Sequence, residues 1–513
     1  MTNIQNRHFL TDAAIYGIGG VVIQLASVVL LPLYTHYLAP SDYGVMEVIE
    51  RIGQIVNICL MTSGVRQATF AFYLQAADQA DRERVAVTIT TFLVAIFVIA
   101  GLSIIAISPM LAPLLGIENP WLLVFGVVTV LAELFLVIPL ALMQARVESL
   151  AFVIVSVFML VIRVGLAIVF VAVMGWGVWG VYGSLLITFI PFGALLTSRE
   201  LRKGSLAVDW QKCKEITRFS LPFIPTGICF FVLYNGDQFF LVGTAGTATL
   251  GIYALGCKIA SVAGTITWQP LFKVWSARMY ETFAKPDAAH IAGRMLTRIL
   301  TVYALVATGL CLFYREALGL LSSEAYSEAG SVIAPMLLAS GCIFASTFME
   351  GVFYVWRKTH LKPWTALISA VIILGLYGAL IPRYAILGAV YGAMFGYAAM
   401  ALVTYLFAQR VFAVRYEWTK ILVLVGLSSV AHYAGSLLEL GFGPFLLKCL
   451  IMLVWLMAIF LTGVVSREDR MMAQRGAFSV LARLAEYTGF REGKAKPPAV
   501  EVTAPPSCSE CVP

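Results

Sequence analysis

The sequence predicts an all-α integral membrane protein of about fourteen transmembrane helices, arranged as two repeated six-helix halves followed by two added helices. Three observations predict it. Of 513 residues, 60% are hydrophobic and only 12% charged, with a mean hydropathy of +0.89, whereas soluble domains carry about 25% charged residues. Apolar runs of about 20 residues, the length that spans a bilayer as helix, recur from end to end. Lys and Arg are also strongly biased. With the N-terminus placed inside, the outer loops hold only Arg315 and Arg383, which puts both termini in the cytoplasm.

Taken in order, spans are expected near 12–34, 44–73, 85–107, 121–143 and 151–174, with a sixth ending near 197 after the turn 175–180. The longest internal hydrophilic stretch, 198–218, precedes spans near 219–243 and 251–275. After a polar link at 276–294 come a ninth span ending near 314 and others near 331–355, 364–381, 385–408, 421–440 and 445–465. The halves are thus 1–200 and 201–418, the added pair 419–465, and 466–513 a cytoplasmic tail expected to be largely disordered. The N-terminus has no small-residue cleavage site, so the first span reads as a retained signal-anchor. Internal loops are too short for a soluble domain. The net charge of +7 follows membrane orientation and is no sign of nucleic-acid binding. The nine cysteines give no disulfide framework, and Cys508 and Cys511 lack the further ligands a structural zinc would need.

The chain is organised around the span 44–73, which carries Glu47, Glu50, Arg51 and Arg66. One central charge costs about 2.5–3.5 kcal/mol on insertion scales, so these side chains must face each other or a wet cavity. A shift of 207 residues carries Gly44 onto Gly251, Arg51 onto Lys258, Arg66 onto Lys273 and Tyr73 onto Tyr280, and sets Ser63-Gly64 beside Pro270 as helix breakers at one depth. Val181-Tyr182-Gly183 returns as Val390-Tyr391-Gly392. Both halves run in the same sense, which predicts a parallel repeat about an axis along the membrane normal.

On a continuous helix, Arg51 and Arg66 would stand about 60° apart around the axis and roughly 22 Å along it. Lys258 and Lys273 would do the same in the second half. Four cations along one cavity would suit an anionic ligand, with bidentate contacts from Arg and point charges from Lys. The alternative is that Arg66 and Lys273 snorkel to headgroups, as Arg298 and Lys448 are expected to. Trp268, next to Gln269 and Pro270, is the candidate for stacking on a ligand ring. Glu47 and Arg51 are four apart and suited to pairing, while Glu50 has no such partner. Glu133 and Arg163 lie mid-span and are expected to form an interhelical ion pair, structural or gated. Asp237 and Glu350 are candidates to take up H+ or Na+ and couple a gradient to transport.

The stretches LPLYTHYLAPSDYG at 31–44, FSLPFIP at 219–225, YNGD at 234–237 and GIYALGCK at 251–258 resemble the polysaccharide-biosynthesis flippases. That family belongs to the superfamily of multidrug, oligosaccharidyl-lipid and polysaccharide exporters. The resemblance runs over roughly residues 10–465. Many relatives place a basic residue directly after the YNGD aspartate, where this chain has Gln238. The resemblance implies a multi-pass protein of the cell inner membrane that flips an undecaprenyl-pyrophosphate-linked oligosaccharide, of the O-antigen or exopolysaccharide kind, from the cytoplasmic to the periplasmic leaflet by alternating access. Its partners would be that lipid-linked glycan, the bilayer and other polysaccharide-assembly membrane proteins, with no cofactor beyond a coupling ion. Two other functions compete. A drug extruder of the same superfamily would prefer an acidic cavity. A membrane glycan polymerase or ligase would need a sizeable outer loop, and no nucleophile–base or metal constellation supports one.

Overall fold

The computed structural model describes residues 30–76, 78–146, 148–202, 209–438 and 441–465. The expected first span up to residue 29, the tail and the Cys508/Cys511 pair lie outside the described residues. The described residues hold helices and no strand. The first of these, 30–37, is followed by α1 (Pro40–Cys59), α2 (Thr62–Gln75), α3 (Gln79–Leu114), α4 (Pro120–Ala132), α5 (Leu134–Ala145), α6 (Ser149–Ala167) and α7 (Gly177–Leu201). Beyond the link come α8 (Trp210–Ser220), α9 (Phe223–Ile266), α10 (Trp268–Phe283), α11 (Ala288–Leu312), α12 (Tyr314–Leu321), α13 (Gly330–Met349), α14 (Gly351–Val355), α15 (Leu361–Val411), α16 (Trp418–Ser436) and α17 (Phe442–Leu461).

Local chemistry sets these boundaries. Pro40 opens α1 where its missing N–H costs nothing. The side chains of Asp78, Asn119 and Asp209 cap α3, α4 and α8 by accepting from backbone N–H groups of the first turn. Gly246 divides α9 into two arms at φ 82, ψ 175, a conformation that suits glycine. Ala385 divides α15 at φ 46, three residues after Pro382.

Nine helices among the described residues are long and apolar enough to cross a membrane, fewer than the fourteen expected. Two of the nine hold more than one helix: Leu361–Val411 bends at Ala385, and Trp210–Ser276 runs through α8, the two arms of α9 divided at Gly246 and the start of α10. Helix α1 does not qualify because it carries Asp42, Glu47, Glu50 and Arg51. Helix α16, which holds Lys420 and His432, does not qualify either.

Helix α1 packs along the second arm of α9, which also packs on α13; α9 and α13 both pack on α15, while α3 to α7 pack on one another. Exposed Leu, Ile, Val and Phe side chains cover the outward faces of α3, α6, α15 and α17, as a lipid-facing surface requires. At the far end of α5, Arg146 makes a bidentate pair with Glu200 at 2.9 and 2.7 Å and donates to the Tyr73 hydroxyl at 2.9 Å, tying α2, α5 and α7 together.

Candidate functional site

The site lies where α1 crosses the second arm of α9. At Gly44 an added Cβ would overlap the Thr247 carbonyl oxygen, and at Gly251 it would overlap the Pro40 carbonyl oxygen. Both pairs are related by the same shift of 207, so the two helices cross through equivalent residues. Glycine is needed at both because the obstructing atoms are backbone and cannot rotate away. The loops at this end also meet. The Tyr326 hydroxyl donates to the Leu38 carbonyl at 3.1 Å, Thr35 donates to the Leu321 carbonyl, and Tyr43 and Tyr326 pack edge to face with centroids 6.1 Å apart.

One to two turns below the crossing, the charges gather. Glu47, 4% exposed, accepts from Arg51 Nη2 at 2.8 Å, and Lys258 Nζ stands 4.0 Å from its other oxygen. The two cations thus come from positions 207 residues apart and meet on one buried carboxylate. An unpaired carboxylate in such a place would be costly, and the two cations offset Glu47; Asp237 and Glu50 also act on Arg51, so acids and bases are closely matched in the cluster. Arg51 Nε also donates to Gln238 Oε1 at 2.9 Å. Next to it, buried Asp237 accepts from its own neighbour's N–H, that of Gln238, at 3.0 Å and from the Tyr253 hydroxyl. That hydroxyl ties the two arms of α9 across the Gly246 bend. The positive charge facing Asp237 is therefore Arg51, delivered from another helix and held by Gln238.

The remaining candidates divide. Arg66 and Lys273 do not join the cluster. Helix α1 ends at Cys59, Met61 takes φ 57, and Arg66 stands exposed on α2 with a 3.5 Å contact to Gln144. Lys273 is exposed on α10, beyond the equivalent break at Thr267. The geometry of one continuous helix, on which the two-depth arrangement rests, is corrected by those breaks. Trp268 is corrected too. It is buried between Phe272 and Phe344, with centroids at 4.8 and 4.7 Å, so both ring faces are covered by packing. Glu133 and Arg163 act on each other electrostatically but form no ion pair within 4 Å. Glu133 is exposed at the break between α4 and α5, and Arg163 Nε is buried without a hydrogen bond. Glu50 is exposed. Glu350, 6% exposed, sits at the break between α13 and α14 and pairs with Lys362 at 3.0 Å. Lys448 does not snorkel. It is 1% exposed and pairs with Glu316 at 2.7 Å.

Sequence reasoning missed Gln238 and Tyr253 as partners, Lys362 beside Glu350, and Glu316 beside Lys448. A polar residue at Gln238 inside an apolar span was a usable signal; the others depend on contacts between distant helices. A cavity of about 900 Å³ also opens between α11, α13, α15 and α16, lined chiefly by Leu, Ala, Tyr and Ser side chains.

Long apolar helices, with charges buried where two repeated elements cross, define a multi-pass membrane protein. Within that class, a family model described as "Polysaccharide biosynthesis protein" matches residues 35–331, and the chain belongs to that family. No curated protein sequence matches it. Among solved structures, the lipid II flippase MurJ in an inward closed conformation is similar at 10% identity and TM-score 0.71, over 89% of this chain and 99% of that one. An inward-facing multidrug resistance MATE family transporter is similar at 14% identity and TM-score 0.61, over 77% and 94%. A Vibrio cholerae MATE transporter, VcmN, is similar at 15% identity and TM-score 0.53, over 80% and 97%. At these identities the likenesses bear on the fold alone.

Proposed function

We propose that this chain flips a glycan linked to undecaprenyl pyrophosphate from the cytoplasmic to the periplasmic leaflet by alternating access, in cell-surface polysaccharide biosynthesis. The observation that carries the reading is the meeting of Arg51 and Lys258 on Glu47. A pyrophosphate entering there offers two negative charges and several acceptor oxygens. It would take both cations from the single carboxylate, since charge-assisted bonds to phosphate are strong and Arg binds it bidentately. Because Arg51 and Lys258 belong to the two helices that cross at Gly44 and Gly251, that exchange of partners would loosen the crossing as the substrate binds. The apolar cavity near α16 suits the polyprenyl tail. The family's description as a polysaccharide biosynthesis protein supports the same cargo class. Asp237, with Arg51 beside it, remains the better placed of the two proposed coupling acids, because Glu350 is already neutralised by Lys362.

The test is leaflet accessibility of a lipid-linked oligosaccharide in vesicles reconstituted with the purified protein. Arg51→Ala and Lys258→Ala are each expected to slow transfer by about tenfold or more, the loss of a charged hydrogen bond. If the wild type moves no glycan lipid, the reading fails. If the variants match the wild type, the cationic site is not on the path. A second reading, export of an organic cation, is favoured by Glu50 and Glu133, two exposed acids. Efflux of a cationic dye that falls in Glu50→Gln and Glu133→Gln variants, without glycan transfer, would select it.

A further inference from the structure

The first arm of α9 carries Gly227, Phe230, Tyr234 and Gln238 on one face, spaced three to four residues apart over about three helical turns. At its ends that face touches α1. A Cβ on Gly227 would lie 2.8 Å from Ile58 Cγ2, and Gln238 receives Arg51. Between the two contacts Tyr234 is 37% exposed. Its hydroxyl has no hydrogen-bond partner among the described residues. The Phe230 and Tyr234 rings run nearly parallel, 5° apart in plane with centroids at 6.1 Å, and Tyr397 closes the back at 6.2 Å. Lys362 Nζ lies 5.4 Å from the Phe230 ring and 5.4 Å from the Tyr354 ring, donates to the Tyr354 hydroxyl at 2.7 Å, and pairs with Glu350.

We infer that Phe230, Tyr234 and Tyr354, flanked by Lys362 and Glu350, form a carbohydrate subsite that takes the sugar next to the pyrophosphate. The inference rests on the flippase reading and adds the part of the cargo that the cationic cluster does not explain. An open aromatic shelf receives the apolar C–H face of a pyranose, and a few polar groups at its edge fix orientation. Here the ammonium donates to sugar hydroxyls and the carboxylate accepts from them. Tyr234 stands one turn from Gln238, about 6 Å along the helix, so a ring on the shelf is within reach of a phosphate held by Arg51. The shelf does not suit an organic cation, because Lys362 cancels Glu350 and places its own positive charge over Phe230.

The experiment measures binding of a short-chain polyprenyl diphosphate, bare or carrying one N-acetylglucosamine, to the full chain in nanodiscs. Tyr234→Ala is expected to weaken the sugar-bearing lipid by about five- to tenfold, as truncating a central aromatic contact does, and to leave the bare lipid unchanged. Tyr234→Phe, which keeps the ring, is expected to retain the sugar-dependent affinity. Arg51→Ala is expected to weaken both lipids. Equal weakening of both lipids by Tyr234→Ala, or no weakening of either, overturns the subsite and leaves the flippase reading standing. Failure of the wild type to bind either lipid overturns the flippase reading and the subsite with it.

Discussion

Replacing Gly251 with valine is expected to force the bundle apart at the end where α1 begins. The atom in the way is the Pro40 carbonyl oxygen, so the clash is relieved only by moving a helix. Overpacking of this kind costs about 1–3 kcal/mol. The conformations of a two-state transporter differ by a few kcal/mol, and about 1.4 kcal/mol changes their ratio tenfold. The closed crossing should therefore lose its dominance and transport should fall with it. Gly44→Val meets the Thr247 carbonyl in the equivalent place and should act alike. Spin labels at Tyr37 and Leu320, both exposed, report the opening as a longer and broader distance distribution. Gly243→Val is the control, because a Cβ there meets open space on the other arm of α9, just before the Gly246 bend. A distribution in Gly251→Val identical to that of the wild type would show that this crossing does not hold the bundle closed.

How far the sequence carried the reading depended on how local each signal was. Hydropathy and the placement of Lys and Arg are properties of the chain itself, so the helical membrane fold was legible without tertiary contacts. The pairing of Glu47 with Arg51 was legible because both lie on one helix, four residues apart. The shift that aligns Gly44 with Gly251 was also visible, and the breaks at Met61 and Thr267 fall near the Ser63-Gly64 and Pro270 breakers. The same breaks undid the placement of Arg66, because axial arithmetic along one helix does not survive a residue at φ 57. Trp268 shows the other limit. A sequence displays a ring but not what covers its faces, and Phe344 reaches it from another helix. The shelf around Tyr234 was out of reach for the same reason, since Lys362 and Glu350 come from elements far along the chain.

Glu316→Ala is expected to cost more stability than Lys448→Met, although the two residues form one pair. Lys448 is 1% exposed on α17, whereas the Glu316 side chain is 25% exposed. Removing the acid strands an ammonium in an apolar surrounding, which costs about 3–5 kcal/mol when a buried pair is broken. Removing the lysine leaves a side chain that is a quarter exposed, although its Oε2 is itself buried, so a smaller loss of about 1–2 kcal/mol is expected. The double variant Glu316→Ala, Lys448→Met should recover most of the loss, because apolar replacement of a buried pair is often neutral. Thermal unfolding in detergent, followed for both single variants and the double, measures the coupling. The consequence would be concentrated in α16 and α17, since Arg315 beside Glu316 also caps that pair through the Ser436 and Leu438 carbonyls at 3.3 and 3.1 Å. A stable Glu316→Ala protein would mean that the lysine escapes to the headgroups and that the pair does not hold α17 in place.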